Sequence, residues 1–112
     1  MNAPPDGAFV LLVRDGVVAA GGAFMRYDEH TAEFKRIWTH PEHRRQGLSR
    51  LVLAELERIA TGAGYTRVYL TTGPRQPEAV ALYTSTGYTV LPLLHIAGDF
   101  HAHPFEKALA AA

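Results

Sequence analysis

Three apolar runs separated by polar turns occupy the first part of the chain, and each predicts a β-strand. The first run, Ala8 to Val13, is followed by Asp15-Gly16, a pair that typically closes a two-residue β-hairpin. The second run, Val17 to about Tyr27, contains Gly21-Gly22, which indicates a bulge or a close backbone approach. Thr31 to Thr39 is the third predicted strand.

The third predicted strand breaks its own alternation. Ala32 and Phe34 share one face, whereas Ile37 falls on the opposite face if the strand is regular. A bulge near Lys35-Arg36 would return Phe34 and Ile37 to a common face and would bend the strand away from its next neighbour. We therefore predict a bulge at that point.

Helical spacing replaces the strand pattern after Gly47. Apolar residues recur at intervals of three and four from Gly47 to Ala63, which predicts an amphipathic helix that ends at Gly62 to Gly64. Val68 to Thr72 is the next predicted strand. A strand, a helix and a strand in this order predict a parallel pair, whose ligand would sit outside the carboxyl ends of the strands.

The sequence after Thr72 predicts a second helix and two short strands. The helix runs from Pro77 to about Thr86, and Gly87 ends it. Tyr88 to Leu91 is the fifth predicted strand, and Phe105 to Leu109 is the last. Between them, Pro92 to His103 is predicted to be a loop, which holds three of the six histidines.

Length and composition indicate one domain. The chain has 112 residues, enough for a single core, and Met1 to Gly7 is expected to be frayed. Eleven basic and eleven acidic side chains cancel, which argues against nucleic acid or an anionic membrane as the main partner. Because the chain has no cysteine, disulfides, thiolate metal sites and covalent cysteine intermediates are excluded.

The sequence shows no targeting signal. The segment MNAPPDG has neither the basic nor the apolar region of a signal peptide. No apolar run approaches the roughly 18 residues of a membrane span. We therefore expect a soluble protein in the cytoplasm that does not act at a membrane.

The stretch His40 to Glu55, HPEHRRQGLSRLVLAE, combines a basic turn with the start of a helix. The free amides and partial positive charge of a helix start favour an anion such as phosphate. Arg44, Arg45 and Gln46 add side-chain donors, and Gly47 would let a phosphate approach the main chain. A solvated basic turn is the alternative. The patterns G-x-x-x-x-G-K-[ST] and G-x-G-x-x-G after a strand are both absent.

Several segments, in order, resemble motifs of the GCN5-related N-acetyltransferases, the GNAT family. Arg44 to Ser49 (RRQGLS) resembles the family's R/Q-x-x-G-x-G/A segment. Glu33 to Pro41 (EFKRIWTHP) is similar to its fourth strand and the exit from that strand. Gln76 to Tyr88 (QPEAVALYTSTGY) is similar to its N/Q-P-x-A-x-x-L-Y-x-x-x-G-[FY] helix, and Pro104 to Lys107 resembles its closing strand. The resemblance covers residues 8 to 109.

The chain departs from the family pattern at three points. Ser49 stands where Gly or Ala is usual, and Gln76 replaces the commoner Asn. The N-terminal strand and helix pair that usually precede the strand matched by the first predicted strand, Ala8 to Val13, are expected to be missing. Those elements normally wall the acceptor side.

The resemblance implies a fold and a cosubstrate. The fold is a single α/β domain over residues 1–112, with a mixed, mostly antiparallel sheet of about six strands, one central parallel pair and two main helices. The cosubstrate is acetyl-CoA, and no metal is implied. Its pantetheine arm would lie between the third and fourth strands and its diphosphate at the helix start. The implied donor-site residues are Ile37, Trp38, Thr39, Arg44, Arg45, Gln46, Gly47, Leu48, Ser49 and Gln76.

The implied reaction is transfer of the acetyl group to a primary amine of a small molecule or a peptide, by direct attack in a ternary complex. Tyr83 matches the family's usual acid for the leaving thiolate, and a core tyrosine is the alternative. Glu33 is a candidate base acting through water, and a solvated strand carboxylate is the alternative. Trp38 can also be read as ordinary packing on the far face of the sheet.

Other hypotheses stay open beside the enzyme. An acyl-CoA-binding sensor or subunit with little catalysis is one, and a plain interaction domain with a basic surface turn is another. A homodimer in which a second copy supplies the acceptor wall is a related hypothesis. His95, His101 and His103 could reach the acceptor side, but their spacing does not by itself indicate a metal site.

Overall fold

The chain folds into seven strands and two α-helices in a computed structural model that describes residues 6–44, 46–72, 77–98 and 100–110. Most of the segment expected to fray at the N-terminus lies outside these residues. The strands are β1 (Gly7–Arg14), β2 (Val17–Arg26), β3 (Thr31–Thr39), β4 (Arg67–Thr72), β5 (Thr89–Val90), β6 (Leu94–Ala97) and β7 (Phe100–Ala108). The helices are α1 (Leu48–Gly62) and α2 (Pro77–Ser85), and a short 3-10 turn covers Pro41–His43.

The sheet has the order β1-β2-β3-β4-β7-β5, and β6 pairs with β7 beside this path. The β3–β4 pair is parallel, and every other recorded pair is antiparallel. The predicted fold class, a mostly antiparallel sheet with one parallel pair and two main helices, is therefore confirmed. The sheet has one strand more than expected.

The extra strand corrects one prediction. Leu94–Ala97 lies within the segment that was predicted to be a loop, and it pairs with the beginning of β7, which starts at Phe100 and not at Phe105. The sequence pattern hides this hairpin because all four residues of β6 are exposed, so no alternation of burial marks them. The His95 and His101 rings contact each other between the two strands, with centroids 5.2 Å apart and planes tilted by 54°.

The first hairpin has the predicted turn. Asp15 and Gly16 have positive φ angles of 51° and 80°, as a type I′ turn requires, and this turn twists in the same sense as the strands it joins. The sequence pattern was sufficient here because the turn chemistry and the flanking apolar runs specify the same structure.

The predicted bulge in β3 is confirmed. Gly21 pairs with Trp38 and Ala23 pairs with Lys35, so Gly22 alone faces two residues of β3. One of those two, Arg36, has a left-handed φ of 57°. The bulge returns Ile37 to the face of Phe34, where it packs against the core.

Both helices pack on one face of the sheet, and the core lies between them and the strands. Its largest fully buried side chains are Phe24, Phe105, Leu53, Leu56, Leu70, Val52 and Val68. On the opposite face, called the far face below, several large apolar side chains are exposed. Among the described residues no helix covers that face.

Gly22 lies where the sheet and α1 approach each other closely. A Cβ at this position would lie 2.5 Å from Ile37 Cδ1 and 2.9 Å from Val52 Cγ1, so there is no room for a side chain. The close backbone approach predicted from the paired glycines is therefore confirmed. It sets the distance between α1 and the bulged part of β3.

Replacing Gly22 with Ala should destabilise the fold by about 1–3 kcal/mol, because the added methyl overpacks the contact with Ile37 and Val52. Urea denaturation followed by circular dichroism measures the change. Gly62→Ala is the matched control, since no atom lies within 4 Å of its Cβ position, and it should leave the stability unchanged or slightly raised. Equal free energies of unfolding for Gly22→Ala and wild type would contradict the packing described here.

Candidate functional site

The parallel strands β3 and β4 part soon after they meet. They pair only where Thr31, Ala32 and Glu33 face Arg67, Val68 and Tyr69. Beyond Glu33, β3 continues to Thr39 with no partner on that side, because the bulge at Arg36 turns it away. The result is a gap at the carboxyl ends of the parallel pair, which is where open α/β sheets place their ligands.

A cleft of about 1100 Å³ lies at this gap. Its walls come from the end of β3, the turn that follows, the first turn of α1 and one side of α2. Eight residues predicted for the site line it together: Ile37, Trp38, Thr39, Arg44, Gly47, Leu48, Ser49 and Tyr83. Gln46 and Glu33 do not line it, and Arg45 and Gln76 lie outside the described residues.

The start of α1 is open toward the cleft. Gly47 caps the helix with a left-handed φ of 73° and offers no side-chain cap, so the amides of the first turn remain available to an acceptor. No atom lies within 4 Å of the position a Cβ would take on Gly47. This helix end therefore has the free donors and the open approach that an anion needs.

A side-chain hydrogen bond fixes the helix start against the strand. The hydroxyl oxygens of Thr39, at the end of β3, and Ser49, in the first turn of α1, lie 2.7 Å apart. Leu48 is buried and anchors the same turn in the core. The end of the parted strand and the open helix end are thus held in a defined relative position.

Arg44 and Gln46, the two predicted side-chain donors that the structure describes in the basic turn, have different surroundings. Arg44 is exposed and lines the cleft. Gln46 accepts a hydrogen bond from Arg14 with its side-chain carbonyl oxygen, which ties it to the end of β1. Its carbonyl is therefore engaged by the first hairpin, while Arg44 provides a cationic group at the cleft.

His43 is a cleft residue that sequence reasoning missed. Its Nδ1 is buried and has no hydrogen-bond partner among the described residues, although its ring packs edge-on against His40 at 5.6 Å. Buried polar atoms are almost always satisfied, so an unpartnered one at a cleft wall is a feature that a ligand would explain. No spacing or motif distinguished this histidine from the other five.

A second missed feature joins the two helices. Arg50 donates a hydrogen bond of 2.7 Å to the hydroxyl of Ser85, and both residues line the cleft. The bond links the first turn of α1 to the last residue of α2. It connects residues 35 positions apart in the sequence, so periodicity could not reveal it.

Tyr83 is buried where α2 meets the sheet. Its ring packs against Phe105 and Tyr88, with centroid distances of 5.4 Å and 5.7 Å. Burial raises the pKa of its hydroxyl to about 12. The phenol therefore stays protonated at neutral pH, and it lines the cleft as a hydrogen-bond donor.

Glu33 lies on the far face, at the last paired rung before the strands part. It is opposite Tyr69, and the ammonium of Lys35 lies 3.7 Å from its carboxylate. The ring of Tyr69 lies 5.1 Å from that of Tyr27. Burial is the main reason that the pKa of the Tyr69 hydroxyl is raised, and the neighbouring Tyr27 and Glu33 raise it further. A carboxylate and two phenols are therefore grouped on the side of the gap away from the helices.

Trp38 also lies on the far face, where the alternative reading placed it. A Cβ on Gly21 would be 2.9 Å from the indole nitrogen of Trp38, so the ring lies across β2, and Trp38 keeps 40% of its surface exposed.

Among the described residues, no three His, Asp or Glu side chains are placed to hold a metal ion. Neither described helix is long and apolar enough to cross a membrane.

A known acetyltransferase is similar to this chain in sequence. The chain is 36% identical over 77 residues to human N-acetyltransferase 8, a match that covers 64% of this chain and 34% of that protein. The chain thus spans about a third of the length of this curated relative.

Solved structures share the fold. A Klebsiella pneumoniae protein assigned as an acyl-CoA N-acyltransferase superposes with a TM-score of 0.85 at 30% identity, over 97% of this chain and 77% of that one. A GNAT family acetyltransferase from Elizabethkingia anophelis, solved with acetyl-CoA bound, superposes with a TM-score of 0.84 at 16% identity, over 93% and 77%. The sequence profile of the acetyltransferase (GNAT) family matches residues 1–88. The chain therefore belongs to the GNAT acetyltransferase family.

Proposed function

We propose that this chain binds acetyl-CoA and transfers the acetyl group to a primary amine of a small molecule or a peptide. The observation that carries the proposal is the meeting of two features in one cleft: the gap between β3 and β4, and the uncapped start of α1. A relative of known structure, the Elizabethkingia anophelis protein, has acetyl-CoA bound. Family membership supports the same class of reaction.

The cleft fits the cosubstrate in size and chemistry. Its volume of about 1100 Å³ is at the upper end of ordinary ligand sites, as a long cofactor requires. The amides at the start of α1 would hold the diphosphate with Arg44 nearby, and they act regardless of their side chains. The main chain of Ile37 to Thr39, which has no strand partner on the gap side, would bond the pantetheine arm like an added strand.

The reaction forms a C–N bond and breaks a C–S bond. The neutral amine attacks the thioester carbonyl, the coenzyme leaves as a thiolate, and the amine gives up a proton. Because the sequence has no cysteine to form an acyl intermediate through sulfur, direct attack in a ternary complex is the simplest route. Two proton problems remain: an alkylammonium with a pKa of about 10.4 must be deprotonated, and the thiolate must be stabilised.

Tyr83 would stabilise the leaving thiolate as a hydrogen-bond donor. Its pKa of about 12 lies about 3.5 pH units above that of a free thiol, so complete proton transfer to sulfur would cost roughly 5 kcal/mol. A short hydrogen bond to the developing thiolate avoids that cost and still stabilises the leaving group. Water then supplies the proton after the coenzyme leaves.

Glu33 is our candidate for the base that deprotonates the alkylammonium. It stands at the last rung before the gap, on the far face, so an amine approaching from that side would meet its carboxylate. The grouped phenols of Tyr27 and Tyr69 would add aromatic surface for a cationic group. An arriving ammonium would replace the ammonium of Lys35 as the partner of Glu33 and would then lose its proton through water.

A binding module with little catalysis is the second candidate. The specific observation that favours it is the pairing of Glu33 with Lys35, which occupies the carboxylate that a base would need.

Whether the chain is an enzyme or a binding module, we place it in the cytoplasm, since a chain without cysteine suits a reducing compartment. We also propose that the chain self-associates, because large apolar side chains are exposed on the far face.

Gly47→Ala should weaken acetyl-CoA binding at least tenfold, because the methyl would occupy the open space above the helix start. Isothermal titration calorimetry with acetyl-CoA measures the dissociation constant. Gly64→Ala is the matched control: it carries a comparable left-handed φ of 99° with no neighbour within 4 Å, and it lies outside the cleft. Both variants should lose similar stability, but only Gly47→Ala should lose affinity. Absence of any binding by wild type would refute the proposal.

Tyr83→Phe should lower kcat by about 100-fold while the dissociation constant for acetyl-CoA stays within twofold, because only the leaving thiolate loses its donor. Thiol release with a panel of amines provides the assay. Tyr88→Phe is the control, since this neighbouring tyrosine donates its hydrogen bond to Glu57 and does not line the cleft. It should lose stability and keep its turnover. Equal turnover in Tyr83→Phe and wild type would remove Tyr83 from the chemistry.

Glu33→Gln should lower kcat/KM for the amine by at least tenfold at neutral pH and should recover part of the loss at higher pH, where more amine is already neutral. Binding of acetyl-CoA should not change, because Glu33 does not line the cleft. Glu106→Gln is the control, since Glu106 pairs in register with Tyr69 from β7 and bonds Arg67. A loss that is the same at every pH, or the same in both variants, would show that Glu33 is not the base.

A further inference from the structure

Arg50 places a cation at the cleft that no carboxylate neutralises among the described residues. Most described cations do have a carboxylate partner, namely Arg26, Lys35, Arg58, Arg67 and Lys107. Of those that have none, Arg44 and Arg50 line the cleft. Arg44 precedes α1 and lies near the proposed diphosphate position, whereas Arg50 lies in the first turn of the helix and has no role in the proposal so far.

The hydrogen bond to Ser85 orients the guanidinium of Arg50 without cancelling its charge. Its Nη2 donates to the Ser85 hydroxyl over 2.7 Å, and that hydroxyl donates in turn to the carbonyl of Leu82 over 3.0 Å. A hydroxyl is neutral, so the full positive charge remains. Since a guanidinium has five N–H donors and this bond uses one, an exposed and oriented set of donors remains available to an anion.

The acidic side chain of the cleft lies at the other end of α2. Glu78 is the acidic residue among the described residues that line the cleft, and it belongs to the first turn of α2, whereas Ser85 is the last residue of that helix. Seven residues of α-helix separate the two positions by about 10 Å along the axis. The end of the cleft at Arg50 is therefore cationic.

The proposed function leaves the wall between the two helices without an occupant. It places the diphosphate at the start of α1 and the pantetheine arm along the end of β3. The nucleotide half of the coenzyme is joined to the other end of the diphosphate, so it extends away from the gap. The wall that this leaves is formed by Arg50 and by Ala81, Leu82 and Ser85 of α2.

The chemistry of this wall matches that of the nucleotide half. A flat base can cover the apolar side chains of Ala81 and Leu82. The ribose of coenzyme A carries a phosphomonoester, whose charge at neutral pH is about −2. A guanidinium recognises such a group well, because two of its N–H groups can bond two phosphate oxygens in parallel.

We propose that Arg50, oriented by Ser85, binds the ribose phosphomonoester of the coenzyme, so that the cleft distinguishes acetyl-CoA from its 3′-dephospho form. This inference deepens the proposed function and rests on it. Ser85 is a positioning residue, since it holds the guanidinium through one donor and leaves the others for the phosphate. Arg50 acts in binding and takes no part in acetyl transfer.

A purely structural bond between the helices is the alternative role for Arg50. The Arg50–Ser85 bond links the first turn of α1 to the end of α2, so its loss could disturb the whole cleft. That disturbance would weaken every ligand of the cleft alike. Recognition of the phosphomonoester, in contrast, affects only a ligand that carries this group.

Isothermal titration calorimetry with acetyl-CoA and with 3′-dephospho-acetyl-CoA separates the two roles. Wild type should bind acetyl-CoA about tenfold more tightly, because only this ligand offers the phosphomonoester to Arg50. Arg50→Gln keeps an amide donor for Ser85 but removes the charge. It should bind acetyl-CoA about tenfold more weakly and the dephospho form within twofold of wild type. Arg50→Lys restores the charge without the fork and should recover part of the preference.

Arg58→Gln is the matched control. It removes the same charge from the same helix about two turns further on, at a residue that pairs with Glu55 and does not line the cleft, so it should keep the preference of wild type. Equal affinity of wild type for the two ligands, or an equal loss for both in Arg50→Gln, would overturn this inference alone. Failure of wild type to bind either ligand would overturn the proposed function and this inference with it.

Discussion

One extra residue in β3 separates two strands that would otherwise pair along their length. Arg36 adopts a left-handed conformation, and the register against β2 moves by one at that point. The parallel pair therefore ends after Glu33, and the main chain of Ile37 to Thr39 is left facing a gap. Everything proposed for the donor depends on this separation, because a fully paired ladder would leave neither space nor free backbone groups.

The bulge is useful only because α1 is held against it. Gly22 lets the helix approach the sheet, and the Thr39–Ser49 hydrogen bond joins the strand end to the first helical turn. At the other side of the helix, Glu57 accepts bonds from both Lys107 and Tyr88. These partly buried contacts tie α1 to β7 and to Tyr88, immediately before β5, so the open helix end is fixed relative to the sheet at several points.

Burial gives the two sides of the gap different chemistry. On the helix side, apolar neighbours raise the pKa of Tyr83 to about 12 and keep its hydroxyl a donor. On the far face, Glu33 keeps an ionic partner in Lys35 and lies beside two phenols. A donor for a leaving anion and an acceptor for an ammonium proton thus lie on opposite sides of one opening, which is consistent with an acyl donor and an amine arriving from different directions.

The sequence predicted local features well where a single constraint controls them. The phase break around Lys35 could be read as a bulge because strands have a strict period of two, and Asp15-Gly16 specified its turn without tertiary help. Strand β6 was missed because its side chains are all exposed. The free Nδ1 of His43 and the Arg50–Ser85 bond were missed because contacts between distant segments leave no periodic trace. A family motif nominated Tyr83, and its place in the third predicted strand nominated Glu33, but the opposite faces they occupy emerged only from the strand pairing.

The most direct test of this account is an NMR titration of the labelled chain with acetyl-CoA, followed at backbone amides. We expect the largest shifts, and slowed exchange with solvent, in two segments: residues 48–50 at the helix start and residues 37–39 in the parted strand. Shifts confined to other regions, or none at saturating acetyl-CoA, would contradict the claim that the gap and the helix start together form the donor site.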